Sequence, residues 1–323
     1  MSRDRLTAAV LLALLLSAPA QTRAQEQRQI RPMGMELQDF TYPFPVGRFD
    51  LDSQGQRMAM AYMDVKPAQP NGRTIVLLHG KNFCGATWEG TMQTLQSAGY
   101  RVIVPDQVGF CRSTKPQGYQ FSLHQLAANT RALLRHLDAG RVTMIGHSMG
   151  GMLTMRHALL YPEDLTGIVL VNPIGLEDWQ AEGVPHRTID QWYAGEWRPE
   201  YDRWVEMQAG MYVGEGRERV AWNQAQTSDM VYTQPVVHEF GRIRVPTLLM
   251  IGERDNTAIG KAFAPPEVQA RLGDYAALGP RTAERIPGAQ LVRFPELGHS
   301  PQIQDPARFH AALLEGLETM PRP

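Results

Sequence analysis

The feature that most restricts this chain is a recurring short apolar run, rich in β-branched residues, that ends at a turn. Ile75-Val76-Leu77-Leu78, Arg101-Val102-Ile103-Val104, Val142-Thr143-Met144-Ile145, Thr166-Gly167-Ile168-Val169-Leu170-Val171 and Thr247-Leu248-Leu249-Met250-Ile251 all have this form. Runs that are continuous rather than alternating belong to strands buried on both faces, and strands of that kind lie in parallel sheets sandwiched between helices. Gln290 to Phe294 gives a last strand and about Asp305 to Leu317 a closing helix. Ahead of them, Val46 to Leu51 and Arg57 to Val65 are separated by Asp52-Ser53-Gln54-Gly55 and read as a hairpin. A helix is expected to end near Leu95, and another to start at the N-cap Ser122 with Leu126, Leu133, Leu134 and Leu137 along one side. The predicted class is α/β, with a mostly parallel central sheet and helices on both of its faces.

This core is expected over residues 46–175 and 242–323, interrupted by an insertion at 176–241. Five of the six tryptophans fall in the insertion (Trp179, Trp192, Trp197, Trp204, Trp222), with Tyr193, Tyr201, Tyr212, Met207 and Met211. A mainly helical segment rich in bulky apolar groups suits a cap over a small-molecule pocket, although such aromatics also serve simply to glue an insertion to its domain. Residues 25–45 form a proline-punctuated, aromatic lead-in that packs against the domain.

Residues 1–24 read differently. Arg3 and Arg5 precede an apolar run from Leu6 to Leu16, and small residues allow cleavage after Ala20 or Ala24. That is the pattern of a secretory signal peptide, and the run is short for a membrane anchor, which needs about 20 residues. The expected location is therefore periplasmic or secreted. The formal net charge is −1, and loss of three arginines and one aspartate with the leader makes it −3. With no basic stripe and no second apolar run of membrane length, neither nucleic-acid binding nor stable membrane insertion is expected. Cys84 and Cys111 are the only cysteines. They are too few for a disulfide scaffold, and no CxxC or HxxxH spacing suggests zinc.

The chemistry is concentrated where Arg141 to Ile145 meets Gly146-His147-Ser148-Met149-Gly150. Strand, G-x-S-x-G turn and helix together place a serine on a strained elbow with its hydroxyl exposed above the strand end. A serine attacks a carbonyl only if a base takes its proton and donors hold the oxyanion. Asp255 and His299 also follow strands immediately, and in an open parallel sheet such strand ends share one ligand-binding edge. Ser148, His299 and Asp255 are thus the candidate nucleophile, general base and orienting acid. Backbone N–H groups of Met149 and Lys81, with Asn82 as the alternative to Lys81, are the candidate oxyanion donors. No metal or organic cofactor is implied.

The chain resembles the α/β-hydrolase fold family, in particular its capped esterase, lactonase and perhydrolase members. The resemblance runs from about Val46 to Leu317 and rests on His79-Gly80, Asp106-Gln107-Val108-Gly109-Phe110-Cys111-Arg112-Ser113, Gly146-His147-Ser148-Met149-Gly150-Gly151, Gly252-Glu253-Arg254-Asp255 and Gly298-His299. It implies structural roles for His79, His147, Asp106 and Ser113. It also brings the Cys84 and Cys111 loops together, so a disulfide that stiffens the oxyanion loop is expected, with two buried free thiols as the alternative. The expected activity is hydrolysis of small to medium carboxylic esters or lactones through an acyl-enzyme. Amide or peptide hydrolysis and acyl transfer by the same residues are the alternatives within enzymology, and a non-catalytic binding protein is a remote one.

Overall fold

The computed structural model of the chain describes residues 30–188 and 202–323. The expected signal peptide at 1–24, and Trp192, Tyr193, Trp197 and Tyr201 of the insertion, lie outside the described residues. Among the described residues, eight strands form one sheet in the order β1-β2-β4-β3-β5-β6-β7-β8. The hairpin of β1 (Val46–Ser53) and β2 (Gln56–Val65) joins antiparallel to β4 (Arg101–Pro105). From β4 onward, β3 (Thr74–Leu78), β5 (Val142–His147), β6 (Leu165–Val171), β7 (Thr247–Gly252) and β8 (Gln290–Phe294) are all parallel.

Every residue of β5, β6 and β7 is buried, which is why their sequences are predominantly apolar, with Thr143, His147, Thr166 and Thr247 the polar exceptions. Alternate residues of each strand feed opposite cores, as the two-residue period requires. Val76, Leu78, Met144, Ile168, Leu170, Leu249 and Ile251 belong to one apolar cluster, while Ile75, Leu77, Ile145, Val169, Val171, Leu248 and Met250 belong to the other. The first is covered by α2 (Leu123–His136) and α3 (Met149–Leu160). The second is covered by α1 (Glu89–Ser97) and by the closing helix Pro306–Glu318, whose Phe309, Leu313 and Leu317 recur at every fourth position and are fully buried. Each such side chain contributes about 1.5–3 kcal/mol by leaving water. Ser122 caps α2, its hydroxyl accepting from the Gln125 N–H at 3.0 Å.

The lead-in is part of the core, since Met33, Leu37 and Phe40 are buried in the first cluster. Tyr42 donates to Asp106 at 2.5 Å, and the Arg112 guanidinium lies 4.6 Å from the centre of the Tyr42 ring and donates to the Phe40 carbonyl at 2.7 Å. Between β6 and β7 the chain forms α4 (Asp202–Met211) and α5 (Arg217–Thr233). Helix α5 lies along the loop after β4: Arg219 donates to the Lys115 carbonyl at 3.3 Å, Asn223 to that of Pro116 at 3.0 Å and Gln226 to that of Tyr119 at 3.0 Å. Trp179 is buried, whereas Trp222 stands partly in solvent. A further helix, α6 (Tyr275–Arg285), packs between β7 and β8, and α7 is the closing helix Pro306–Glu318. At the far end of the sheet, Arg73, just ahead of β3, donates to the Leu317 carbonyl at 2.8 Å and to the Tyr100 hydroxyl at 3.2 Å. No helix among the described residues is long and apolar enough to cross a membrane.

Candidate active site

Ser148 links β5 to α3 with φ 56° and ψ −122°. That left-handed backbone costs an L-residue about 1–3 kcal/mol unless its surroundings enforce it. They do: a side chain at Gly146 would strike the Gly150 carbonyl and Thr154, and one at Gly150 would strike the carbonyls of Leu78 and His79. Only glycine at both positions lets strand, turn and helix close around the serine. The Ser148 N–H donates to the Val171 carbonyl at 3.2 Å, and the Ser148 carbonyl accepts from Gly151 at 2.9 Å.

Asp255 lies just beyond β7 and is buried. Its Oδ2 is 2.6 Å from His299 Nδ1, and its Oδ1 accepts from the Thr257 N–H at 2.9 Å. Burial opposes ionisation of this carboxyl, but the hydrogen bonds from His299 and Thr257 outweigh it and hold the group below the ordinary carboxylate range. A carboxylate only accepts, so His299 donates from Nδ1 and keeps Nε2 as its proton acceptor. Among the described residues no hydrogen bond joins the Ser148 hydroxyl to His299. The two are linked through His147, whose Nε2 donates to the His299 carbonyl at 2.8 Å and whose ring centroid is 4.8 Å from that of His299. Burial, and then the neighbouring His299, push His147 down to about 3, so it stays a neutral donor.

Asn172, at the end of β6, was not anticipated. It is buried with φ 36°, its Oδ1 accepts from the Gly252 N–H at 2.8 Å, and its Nδ2 lies 3.0 Å from both the Gly252 carbonyl and Asp255 Oδ2. It thereby fixes the end of β7 and the carboxylate that follows it. Its sequence context, Asn172-Pro173-Ile174-Gly175, reads as an ordinary turn. The one signal available was the tolerance of asparagine for left-handed backbone.

The loop after β3 closes over the elbow. A Cβ on Gly80 would sit 3.0 Å from the Ser148 Cβ, so the backbone leading to Lys81 passes directly beside the serine. The N–H groups of Lys81, Asn82 and Met149 donate to no hydrogen bond among the described residues, whereas that of Phe83 is used by the Gly80 carbonyl at 3.1 Å. This loop is tied to the one after β4 in three ways. Cys84 and Cys111 form a disulfide with their Cα atoms 5.7 Å apart, and the Gly85 N–H donates to Asp106 Oδ1 at 2.8 Å. The Gln107 N–H donates to His79 Nε2 at 3.1 Å, while His79 Nδ1 donates to the Gly80 carbonyl at 2.8 Å. Burial lowers the His79 pKa, in keeping with a neutral ring that donates once and accepts once.

Cys84, Asp106 and Cys111 bring their donor atoms within 4.8 Å of one another. The two sulfurs are bonded to each other, and Asp106 already accepts from Gly85, Tyr42 and Arg112, so this set serves as a structural staple rather than a metal centre.

A family model described as alpha/beta hydrolase fold matches residues 73–218. A probable hydrolytic enzyme of Pseudomonas aeruginosa, known from its crystal structure, is 60% identical with a TM-score of 0.87, over 90% of this chain and 100% of its own. RutD of Pseudomonas syringae, a candidate carbamate hydrolase, is 29% identical over 270 residues, 77% of this chain and 95% of its own. A thermophilic esterase of Thermogutta terrifontis shares the fold with a TM-score of 0.59 at 21% identity, over 84% of this chain and 98% of its own. Sheet order, the glycine-framed serine elbow and a near-complete match to a relative at this level of identity lead to one assignment: the chain is a member of the α/β-hydrolase family, and an enzyme of the hydrolase class.

Proposed function

We propose that the protein is an exported serine hydrolase acting on carboxylic esters or lactones of small to medium size. The observation that carries the reading is the pairing of an enforced left-handed Ser148 with an Asp255–His299 couple whose carboxylate is buried, tethered to the same elbow by His147. On substrate binding His299 Nε2 takes the Ser148 proton as the oxygen attacks the carbonyl carbon; such contacts commonly tighten only in the loaded enzyme. Asp255 holds the tautomer and stabilises the imidazolium that results. The free N–H groups of Met149 and Lys81 receive the oxyanion. His299 then returns the proton to the leaving alcohol, and water activated by the same ring releases the acid and restores the serine.

Export is supported by the leader at residues 1–24 and by the disulfide, a bond that persists in oxidising compartments; the intact mass of the mature protein reads cleavage after Ala20 or Ala24. The activity is tested with a fluorophosphonate probe on the wild type and Ser148→Ala. Labelling of Ser148 alone, abolished by the substitution and accompanied by turnover of 4-nitrophenyl esters, is expected. An unlabelled Ser148 in folded protein would sink the reading, and turnover of aminoacyl amides in preference to esters would redirect it.

A further inference from the structure

The Lys81 side chain has a use that the proposed chemistry leaves open, because that chemistry needs only its backbone N–H. Consecutive Cα atoms are about 3.8 Å apart, so a side chain one residue beyond Gly80 starts beside the nucleophile. The Lys81 ammonium then meets Gln224 of α5, its Nζ lying 3.5 Å from Gln224 Oε1. Gln224 is buried, and its Nε2 faces the Gly109 carbonyl at 3.5 Å, which leaves only its oxygen for the lysine.

An ammonium carries three N–H donors. Lys81 uses one of them, on a long contact to a neutral amide, and among the described residues no carboxylate pairs with it. Other lysines on this side of the sheet are satisfied by the protein itself. Lys115 donates to the carbonyls of Cys111 and Ser113, and Lys261 to that of Leu272 at 2.7 Å. Loss of hydration pushes Lys81 down to about 8, so at neutral pH most of the population is still charged. A partly desolvated cation with free donors, carried by the residue after the glycine that abuts the nucleophile and lacking an acidic partner among the described residues, is arranged for an anion that arrives from outside.

We propose that Lys81, oriented by Gln224, recognises an anionic substituent on the substrate, so that the preferred ester or lactone carries a free carboxylate. The proposal rests on the serine-hydrolase reading and narrows its substrate class. A charge-assisted contact of this kind is worth about tenfold to a hundredfold in kcat/KM between anionic and neutral esters of similar size.

The test compares 4-nitrophenyl hemisuccinate and hemiglutarate with 4-nitrophenyl butyrate in the wild type, Lys81→Met and Lys81→Arg. Because the Lys81 backbone is also assigned to the oxyanion site, the readout is the ratio of kcat/KM for the charged and neutral esters within each protein. The wild type is expected to favour the charged esters by about tenfold or more, Lys81→Met to bring the ratio near one mainly through KM, and Lys81→Arg to restore it. Wild type without the preference, or Lys81→Met that retains it, overturns the proposal. If none of the three esters is turned over, protection of Ser148 from the fluorophosphonate by succinate and glutarate decides. Protection that Lys81→Met weakens supports the role, and no protection overturns it. Failure of Ser148 to label would defeat the hydrolase reading itself, whereas labelling and butyrate turnover without charge preference would defeat only the role of Lys81.

Discussion

Replacing Asn172 by glycine separates what its side chain does from what its backbone requires. Glycine accepts the φ of 36° freely, so no strain is introduced and the native strain of about 1 kcal/mol is relieved. Lost are one acceptor for the buried Gly252 N–H and an Nδ2 group lying within 3.0 Å of both the Gly252 carbonyl and Asp255. An orphaned buried donor costs about 1–3 kcal/mol, and a hydrogen bond to a charged group is worth about 1.5–3 kcal/mol. After the relieved strain, Asn172→Gly is expected to destabilise the protein by roughly 1.5–5 kcal/mol. Asp255 keeps its bonds to His299 and Thr257 but loses a third donor, so its carboxyl moves up toward the ordinary range and its aim loosens. An accompanying loss of about tenfold to a hundredfold in kcat is expected. Urea unfolding at neutral pH gives the first quantity, and ester turnover under conditions where the variant is fully folded gives the second. The companion Asn172→Asp puts a second carboxylate beside Asp255 and should shift the acidic limb of the pH–rate profile upward. A glycine variant less than about 1 kcal/mol weaker than wild type, with an unchanged profile, would show that Asn172 is turn filler and refute the reasoning.

Two further outcomes concern stability. The Cys84–Cys111 bond closes a loop across 27 positions, so the double alanine variant should lose about 3–4 kcal/mol in urea; a loss below about 1 kcal/mol would mean the loop is ordered without it. Buried His147 and His157 are pushed down to about 3 and about 4, whereas in the unfolded chain they titrate near 6.5. As pH falls below 6.5 the unfolded chain binds protons that the folded one refuses, so stability present at neutral pH is lost toward pH 4, at up to about 1.4 kcal/mol per pH unit for each ring. Urea midpoints at pH 7 and pH 5 measure this decline, and His157→Leu should remove about one proton from its slope; an unchanged slope would count against a neutral buried His157.

The sheet was legible because its strands are buried on both faces, and burial of that kind leaves an unbroken apolar run in the sequence. The elbow was legible because two glycines at fixed spacing answer real collisions with Gly150, Thr154 and the Leu78 carbonyl. Helix α6 was not read, because Gly279-Pro280 in its middle resembles a breaker. In the structure Asp274 caps it by accepting from the Ala277 N–H at 3.2 Å, and Tyr275, Leu278 and Thr282 bury one side. Asn172 escaped for a different reason: its partners are 80 and 83 positions away, and no local pattern encodes a hydrogen bond across strands of that separation.

The clamp between Arg73 and the Leu317 carbonyl has a consequence in time. At about 5–20 residues per second, the ribosome needs roughly 10–50 s to make the 244 positions between them. Through that interval the N-terminal end of β3 lacks the helix that covers it, and the growing chain holds the Ser148 elbow without His299. Contacts this distant in sequence make folding slow and place it late, so the nascent polypeptide remains unclosed until synthesis is nearly over and, on the proposed serine-hydrolase chemistry, inactive as well.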